Sequence, residues 1–194
     1  MKSKGDSLNR LYQSGMNTPR FVVSRKPFNR EDMIFRLIDF DGKISIRTWR
    51  KDGLVCPFFP NRPKSEVPDI LDELFSMENL DEIILAEGIN PEESLACGRA
   101  SHMDDDSIIL EFFRGSGTVR DLDKKNLDEV TCLVVSRHKA LILGEDDWIR
   151  LLLKQCREFY KFEPGTTLEW SYYKGRIGWK KENLIFWEAL GGKR

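Results

Sequence analysis

Two glutamates near the C-terminus have the residue type and spacing that suit chemistry with a metal ion. Glu169 lies in a strand candidate at 167–173, and Glu188 lies in another at 183–189. If those strands pair, both carboxylates can reach one site and hold a magnesium ion by hard oxygen ligands. Two exposed strand glutamates without a shared role are the alternative interpretation.

Two further segments could bind phosphate groups. Arg47 begins the sequence Arg-Thr-Trp-Arg at the end of a strand candidate, where a guanidinium group can clamp a phosphate through two hydrogen bonds. The glycine-rich segment Arg114-Gly-Ser-Gly117 follows another strand candidate, and successive backbone N–H groups in such a turn can cradle an anion. An ordinary alternation of polar residues explains the Arg47 segment equally well, and glycines at the end of a strand are more often plain turn residues.

The sequence gives little support to a metal centre of histidine or cysteine. We expect both histidines, His102 and His138, to lie at the surface. The cysteines are scattered and form no Cys-x-x-Cys pair, which predicts reduced, buried thiols rather than a zinc site. They are Cys56, Cys97, Cys132 and Cys156.

Composition limits the class of protein. The 194 residues, 40% hydrophobic and 11% aromatic, suffice for one domain or two packed lobes with a sizeable core. Lys and Arg number 31 against 32 Asp and Glu, so net charge favours neither a nucleic-acid nor a membrane partner. No apolar run approaches the roughly 20 residues that span a bilayer. The N-terminus lacks the apolar core of a secretory signal, so we expect a cytoplasmic protein without a membrane partner.

The elements that must position these residues predict an α+β fold of antiparallel hairpins packed against a few helices. Apolar residues at helical spacing predict helices at 7–14, 67–76 and 145–160. Asp41-Gly42 predicts a hairpin turn, and the Pro- and Asn-rich residues 56–63 predict a loop. The strand candidates are 21–24, 33–39, 43–49, 82–87, 93–100, 107–113, 130–135, 167–173 and 183–189.

Three blocks in the N-terminal half occur in the order of a known family. They are Lys4-Gly-Asp-Ser-Leu-Asn-Arg-Leu11, then Gly15, then Thr18-Pro-Arg-Phe-Val-Val-Ser24. They resemble Lys-Gly-x-x-Leu-x-x-Leu, Gly, and Val-Pro-x-Gly-Phe-Val-Val, the opening of the ATP-binding part of phosphoenolpyruvate synthase and pyruvate phosphate dikinase. Arg20 stands where the family usually has glycine. The resemblance implies that Lys4 lies near the ATP phosphates.

Two later strands extend the resemblance. Ile46-Arg-Thr-Trp49 looks like the family's Val-Arg-Ser-Ser strand, whose arginine contacts the phosphates, which implies that role for Arg47. The segment 82–89 sits where the family has the strand leading into its adenine-binding hinge. There the resemblance implies that backbone groups at Glu87 and Ile89 contact the adenine edge.

The C-terminal half continues in the same order. Ser94-Leu-Ala-Cys-Gly98 resembles the family's Ser-Gly-Val-Ala, and Arg114-Gly-Ser-Gly117 resembles Gly-Leu-Gly-Glu-x-Val. Phe162-Glu-Pro-Gly-Thr-Thr-Leu-Glu-Trp170 resembles Phe-Gly-x-Pro-x-Asp-Ile-Glu-Trp, whose glutamate binds magnesium. Leu184-Ile-Phe-Trp-Glu-Ala-Leu190 is similar to Leu-Tyr-Ile-Leu-Gln-Ala-Arg.

The C-terminal match implies Glu169 and Glu188 as magnesium ligands. Glu188 replaces a metal-binding glutamine and keeps an oxygen ligand. Leu190 replaces an arginine and removes a phosphate contact, which puts efficient phosphoryl transfer in doubt.

The resemblance implies an ATP-grasp-like α+β fold with two small lobes, residues 1–88 and 89–194. It implies ATP and Mg²⁺ as cofactors and an ATP-dependent phosphotransferase activity of kinase type, with Lys4 and Arg47 as the catalytic residues. The acceptor is open: a small carboxylate, a histidine on a partner protein, or none. Because the phosphohistidine and pyruvate-binding domains are missing from this chain, we do not expect the whole phosphoenolpyruvate synthase reaction.

Two other classes of function stay open. A catalytically degenerate nucleotide sensor or protein-interaction module fits Leu190 and the short chain. A nucleic-acid-binding α+β protein would use Tyr172-Tyr-Lys-Gly-Arg176 and Trp179-Lys-Lys181, where aromatic and basic residues alternate. An exposed hairpin whose basic residues protect an edge strand is the interpretation that we favour for this segment, so we expect no nucleic-acid partner.

Overall fold

The computed structural model of the chain describes residues 3–103, 107–136 and 147–191. The chain divides into two compact units: Met1–Asp6 with Pro19–Asn90, and Ser7–Thr18 with Pro91–Arg194. Helix α1, Lys4–Gln13, contributes its first residues to the first unit and the rest to the second. The predicted lobes, 1–88 and 89–194, stay a prediction. They are defined by their expected positions around a nucleotide, whereas the two units are defined by contacts within the chain.

The first unit contains a four-stranded antiparallel sheet in the order β1-β4-β2-β3. One face packs on helices α2 and α3 through buried residues such as Ile46, Leu71 and Leu85. Side chains alternate along a strand, so Arg47 and Ile84 lie on the opposite face. The strands are β1 (Phe21–Arg25), β2 (Ile44–Trp49), β3 (Phe58–Arg62) and β4 (Glu82–Glu87), and the helices are α2 (Arg30–Phe35) and α3 (Val67–Phe75).

The predicted strand at 33–39 is wrong. These residues form the end of helix α2 and a 3₁₀ turn, Arg36–Asp39, so Asp41-Gly42 does not close a hairpin. The side chain of Asn29 caps the helix by accepting a hydrogen bond of 3.0 Å from the Asp32 amide. Met33 and Leu37, four residues apart, then both face the core, a spacing that fits a helix. The predicted loop at 56–63 likewise contains strand β3, whose ladder with β2 the Pro-rich composition concealed.

The second unit contains a five-stranded antiparallel sheet in the order β7-β6-β5-β8-β9. Strand candidates in the C-terminal half are confirmed, and the 167–173 and 183–189 segments do pair. The strands are β5 (Ser94–His102), β6 (Ser107–Arg114), β7 (Thr131–Ser136), β8 (Thr166–Ile177) and β9 (Glu182–Gly191), and the helices are α4 (Val119–Leu122) and α5 (Asp147–Phe159). The acidic segment 104–106 and His138 lie outside the described residues.

One face of this sheet forms the main core of the unit. Leu168, Trp170 and Phe186 pack there against Leu11 of helix α1 and Leu152 of helix α5. Part of the other face is covered by helix α4, where Cys97 and Phe113 contact Val119 and Leu122. The same second face also carries the charged residues Glu111, Arg99, Glu169 and Glu188, and we call it the charged face.

The expected surface position of His102 is wrong. The residue is 4% exposed, its Nδ1 lies 2.8 Å from the Phe162 carbonyl oxygen, and its ring packs on Phe159 and Tyr160. Because side chains alternate along β5, His102 lies on the same core-facing side as Ala96 and Ala100. The prediction of buried thiols is confirmed for Cys97 and wrong for Cys132, which is exposed, while Cys56 is half-buried. Among the described residues, no helix combines the length and apolar character that crossing a membrane requires.

Candidate functional site

A row of charged side chains crosses the charged face of the second unit. The strand registers place Glu111 opposite Arg99, Arg99 opposite Glu169, and Glu169 opposite Glu188. All four side chains are half-buried. The structure therefore brings together the two glutamates that the sequence nominated, as the predicted strand pairing required.

The opposition of Glu169 and Glu188 is electrostatically unfavourable without a cation. Directly opposed residues on antiparallel strands have Cβ atoms about 4.5–5.5 Å apart, and like charges there destabilise a sheet. Arg99 lies beside Glu169 on its other side and interacts with the charge of Glu169, while its guanidinium also donates hydrogen bonds of 2.7 and 2.8 Å to Asp123. This ion pair raises the pKa of Arg99 and lowers that of Asp123. The glutamate pair is thus placed where an additional cation would stabilise it.

A β-bulge in β9 determines which way Glu188 points. Glu169 pairs with Glu188, but the next residue, Trp170, pairs with Phe186, so Trp187 is an extra residue on β9. Phe186 and Ala189 both face the main core although they are three residues apart. In a regular strand that spacing would put them on opposite faces. The bulge therefore turns Glu188 toward the charged face.

Two carboxylates fit a magnesium site that the substrate completes. Mg²⁺ is commonly bound by one or two protein carboxylates together with substrate phosphates and water. In the described part of the chain, no group of three or more His, Cys, Asp or Glu side chains could hold a metal ion by itself. Glu169 and Glu188 therefore suit a metal that arrives with phosphate oxygens better than a metal held by protein ligands alone.

In the first unit, Arg47 lies at the centre of the sheet face opposite the core. Its Cα neighbours are Phe58 on β3 and Ile84 on β4, and its guanidinium carbon lies 5.3 Å from the centre of the Phe58 ring. Arg47 is half-buried, whereas Phe58 is 52% exposed. The arrangement holds a cation beside an accessible aromatic face, which suits an anionic or aromatic ligand.

The segment around Lys4 is committed to an internal carboxylate. Glu82, 1% exposed, accepts hydrogen bonds from Ser3 Oγ at 2.7 Å, Gly5 N at 2.8 Å and Arg25 Nε at 3.0 Å. A Cβ at position 5 would lie 2.7 Å from Glu82 Oε2, so this close approach requires glycine. The Gly5 amide at the start of helix α1 therefore donates to Glu82 of the protein itself and is not available to an anionic ligand.

Glu87 and Ile89, the predicted adenine contacts, have different surroundings. The Glu87 amide donates to the Arg20 carbonyl oxygen at 2.8 Å, and its carboxylate accepts from the Arg20 amide at 3.3 Å. Gly88 donates to the Lys43 carbonyl oxygen at 2.8 Å. Neither backbone group of Ile89 forms a hydrogen bond to another described residue. Ile89 is thus better suited than Glu87 to bind a ligand through its backbone.

The glycine-rich turn after β6 does not form an anion cradle. Gly115 donates to the Leu95 carbonyl oxygen at 2.8 Å, and Gly117 donates to Ser94 Oγ at 3.1 Å. The next residue, Thr118, forms a capping box with Asp121 at the start of helix α4. The Thr118 amide bonded to this carboxylate lowers the pKa of Asp121 to about 2. These donors serve the turn itself.

The aromatic and basic residues of the β8–β9 hairpin are used within the unit. Tyr173 is 3% exposed, and Trp179 Nε1 donates to the Met16 carbonyl oxygen at 2.9 Å while its ring packs on Tyr12. Lys180 donates to the Gly15 carbonyl oxygen through its ammonium group. These contacts favour a structural role over a stacking platform for nucleic acid.

Solved structures with similar folds were found over nearly the whole chain. N5-carboxyaminoimidazole synthetase from Staphylococcus aureus, complexed with ADP, has a TM-score of 0.55 and 9% identity, and the match covers 97% of this chain and 44% of that one. D-alanine–D-alanine ligase from Bacillus anthracis, complexed with ATP, has a TM-score of 0.51 and 12% identity over 96% and 54%. The chain has the ATP-grasp fold. ATP citrate lyase from Methanosaeta concilii also has a similar fold, with a TM-score of 0.56 and 9% identity over 96% of this chain and 47% of that one.

These matches support the ATP-grasp fold alone, because their identities are low. The chain spans about half the length of the structures that it matches. No family model matches the sequence, and no curated protein matches it. The narrower resemblance to phosphoenolpyruvate synthase stays a prediction.

Sequence reasoning missed three residues around the site. Arg99 and Asp123 were not considered because the ion pair joins a strand to a helix-end residue far along the chain. Trp187 was not considered because a bulge leaves no mark in an apolar run. Strand β9 contains no glycine before Gly191 that could have indicated the bulge.

Proposed function

We propose that this chain binds ATP together with Mg²⁺ and that Glu169 and Glu188 are the metal ligands. The single observation that carries the proposal is the direct opposition of these two carboxylates on β8 and β9. Two ATP-grasp structures similar to the chain contain ADP or ATP. When bound, the metal would neutralise charge on the phosphate oxygens.

The first unit would supply contacts to the nucleotide itself. Arg47 offers a half-buried guanidinium for a phosphate, a bond type that typically contributes about 1.5–3 kcal/mol. Ile89 offers backbone groups that make no hydrogen bond to another described residue, as recognition of an adenine edge needs. Lys4 would contribute its ammonium group, and Glu87 would hold the segment through its bonds to Arg20.

The chemistry that we favour is ligase-type activation of a carboxylate by ATP. The matched structures include a ligase and a synthetase by name, and none of the three described above is a phosphoenolpyruvate synthase. In such chemistry the protein would position the acceptor carboxylate and stabilise the transferring phosphoryl group. Transfer to a histidine on a partner protein, as the sequence resemblance implies, is the second form of the same proposal.

A nucleotide sensor without turnover is the competing function. Leu190, 42% exposed, lies on β9 two residues beyond Glu188, on the same face, at the position where the resemblance expects a phosphate-binding arginine. Binding would then survive without catalysis. An assay of ADP release with carboxylate and amine acceptors separates the two functions, because a sensor binds ATP without consuming it.

Calorimetric titration with ATP, with and without Mg²⁺, tests the binding proposal. We expect saturable binding that needs Mg²⁺ and is lost in the Glu169→Gln/Glu188→Gln double variant. Glu111→Gln is the matched control, because Glu111 lies in the same row but is separated from Glu169 by Arg99. Arg47→Ala should weaken ATP binding by about 1.5–3 kcal/mol, while Arg62→Ala, which removes an exposed arginine from the next strand, should not. Equal affinity in all of these variants would contradict the proposed site.

A further inference from the structure

Trp187 makes a specific hydrogen bond beside the glutamate pair. Its Nε1 donates to Ser171 Oγ at 2.9 Å, across the two strands that carry Glu188 and Glu169. Ser171 is 2% exposed and Trp187 is half-buried. Ser171 follows Trp170, whose side chain faces the main core, so the bond lies on the charged face. The extra residue of the bulge is therefore attached to the neighbouring strand by its side chain.

The hydrogen bond of the Trp187 side chain compensates for the interruption that the β-bulge makes in the strand ladder. The extra residue has no partner on the opposite strand. A regular strand continuing from the Phe186 pair with Trp170 would put Trp187 opposite Glu169 and turn Glu188 toward the main core. The bulged register is thus the arrangement that keeps Glu188 opposite Glu169, and the Trp187 bond to Ser171 holds this register on one side.

Ser7 holds the other side of Glu188. The Ala189 amide donates to Ser7 Oγ at 2.5 Å, and that hydroxyl lies 3.3 Å from the Ala189 carbonyl oxygen. Strand β9 is an edge strand of the sheet, so its outward backbone groups need such a partner. Both neighbours of the half-buried Glu188 are therefore held by hydrogen bonds: Trp187 by its bond to Ser171, and Ala189 by its bond to Ser7.

We infer that Trp187 is a positioning residue for the metal site: its bond to Ser171 holds the bulge that aims Glu188 at Glu169. The inference rests on the proposed function, since it assumes that the pair binds a metal ion. Hydrogen-bonded groups behind metal ligands commonly change metal affinity 10- to 100-fold when they are removed.

Titration of Mn²⁺ in the presence of ADP, followed by electron paramagnetic resonance, tests this role. Trp187→Phe keeps an aromatic ring but removes the N–H donor together with part of the indole, and it should weaken Mn²⁺ binding roughly 10-fold or more. Ser171→Ala removes the acceptor and should have a similar effect. The matched control is Trp179→Phe, which removes another indole bond of 2.9 Å in the same unit, to Met16, and should leave Mn²⁺ affinity unchanged.

A double-variant comparison separates positioning from a general loss of structure. In a Glu188→Gln background, Trp187→Phe should cause no further loss of Mn²⁺ affinity, because the group that it positions is already altered. Further loss there would overturn the inference, as would unchanged Mn²⁺ affinity in both Trp187→Phe and Ser171→Ala. In the second case a weakened Glu188→Gln variant would leave the proposed function standing. A wild-type chain that binds no Mn²⁺ with ADP would overturn both proposals.

Discussion

Carboxylates in the two units have different surroundings. In the first unit, Glu82 is 1% exposed and accepts hydrogen bonds from Ser3, Gly5 and Arg25. In the second unit, Glu169 and Glu188 are half-exposed and face each other across β8 and β9. Glu82 is a single buried carboxylate with three donors, whereas Glu169 and Glu188 place two negative charges opposite each other on the charged face.

This difference separates a structural carboxylate from a candidate ligand site. Burying a charge is costly unless it is paired and hydrogen-bonded, and the surroundings of Glu82 meet that condition. Two like charges held opposite each other lower the stability of a sheet, and a bound cation removes that penalty. We therefore expect Glu82 to contribute to folding and the pair to contribute to binding.

The largest expected effect is on folding, from Glu82→Ala. This change leaves the Gly5 amide and the Ser3 hydroxyl without their acceptor in a buried place, and each such group costs about 1–3 kcal/mol. We expect a loss of about 3 kcal/mol in the free energy of unfolding, measured by urea denaturation. Glu87→Ala is the control: its half-buried carboxylate accepts one long bond, of 3.3 Å, and should cost much less. Equal losses in the two variants would remove the distinction drawn for Glu82.

The second-largest effect is expected for Glu188→Gln, which should change metal binding rather than stability. Removing one of two opposed charges should leave the free energy of unfolding unchanged or raise it by about 0.5 kcal/mol in the absence of metal. Mn²⁺ affinity in the presence of ADP should fall about tenfold or more, since a contact to a charged group contributes about 1.5–3 kcal/mol. A marked loss of stability with unchanged Mn²⁺ affinity would place Glu188 with the structural carboxylates instead.

The smallest effect concerns Asp121 of the second unit, a carboxylate that, like Glu82, accepts hydrogen bonds from donors of its own chain. The Thr118 amide, which donates to its carboxylate, lowers the pKa of Asp121 to about 2, well below the usual aspartate value. A lowered pKa in the folded state contributes stability that is present above about pH 4 and is lost as the pH falls toward 2. The difference in unfolding free energy between wild type and Asp121→Asn should therefore shrink over that range in urea titrations at several pH values.

Thr118→Ala refines the Asp121 experiment. It removes the hydroxyl bond of 2.8 Å and keeps the amide bond of 2.9 Å. The pH dependence should then be reduced but not abolished. A difference that is independent of pH between 4 and 2 would contradict the role of these bonds.

Much of the second unit could be predicted from the sequence, and less of the first. The residue pattern identified β8 and β9 as strands, and their pairing, the condition for bringing Glu169 and Glu188 together, is confirmed. In the first unit, Met33, Phe35 and Leu37 alternate as a strand would, yet the Asn29 cap and the i,i+4 spacing of Met33 and Leu37 prevailed. Phe35, which alternation would count as apolar and buried, is 70% exposed. Short apolar runs fit both periods, so only capping and tertiary contacts decide between them.

The glycine-rich turn shows a different limit. Its composition suits an anion cradle, but whether an amide is free depends on which acceptors lie near it. Leu95 and Ser94, about twenty residues earlier in the chain, occupy the amides of Gly115 and Gly117. Residue type alone does not reveal this use.

By itself, the sequence determined the α+β class, most of the strands, and the presence of two glutamates on the last strand pair, because these depend on residue type and local periodicity. Only the tertiary structure decided that Glu188 faces Glu169, since that depends on one extra residue in β9 and its bond to Ser171. It also decided that Glu82 fills the amide of Gly5, 77 residues away. Alternation is a local property of the chain, whereas register and hydrogen-bond partners depend on segments that meet only in the folded protein.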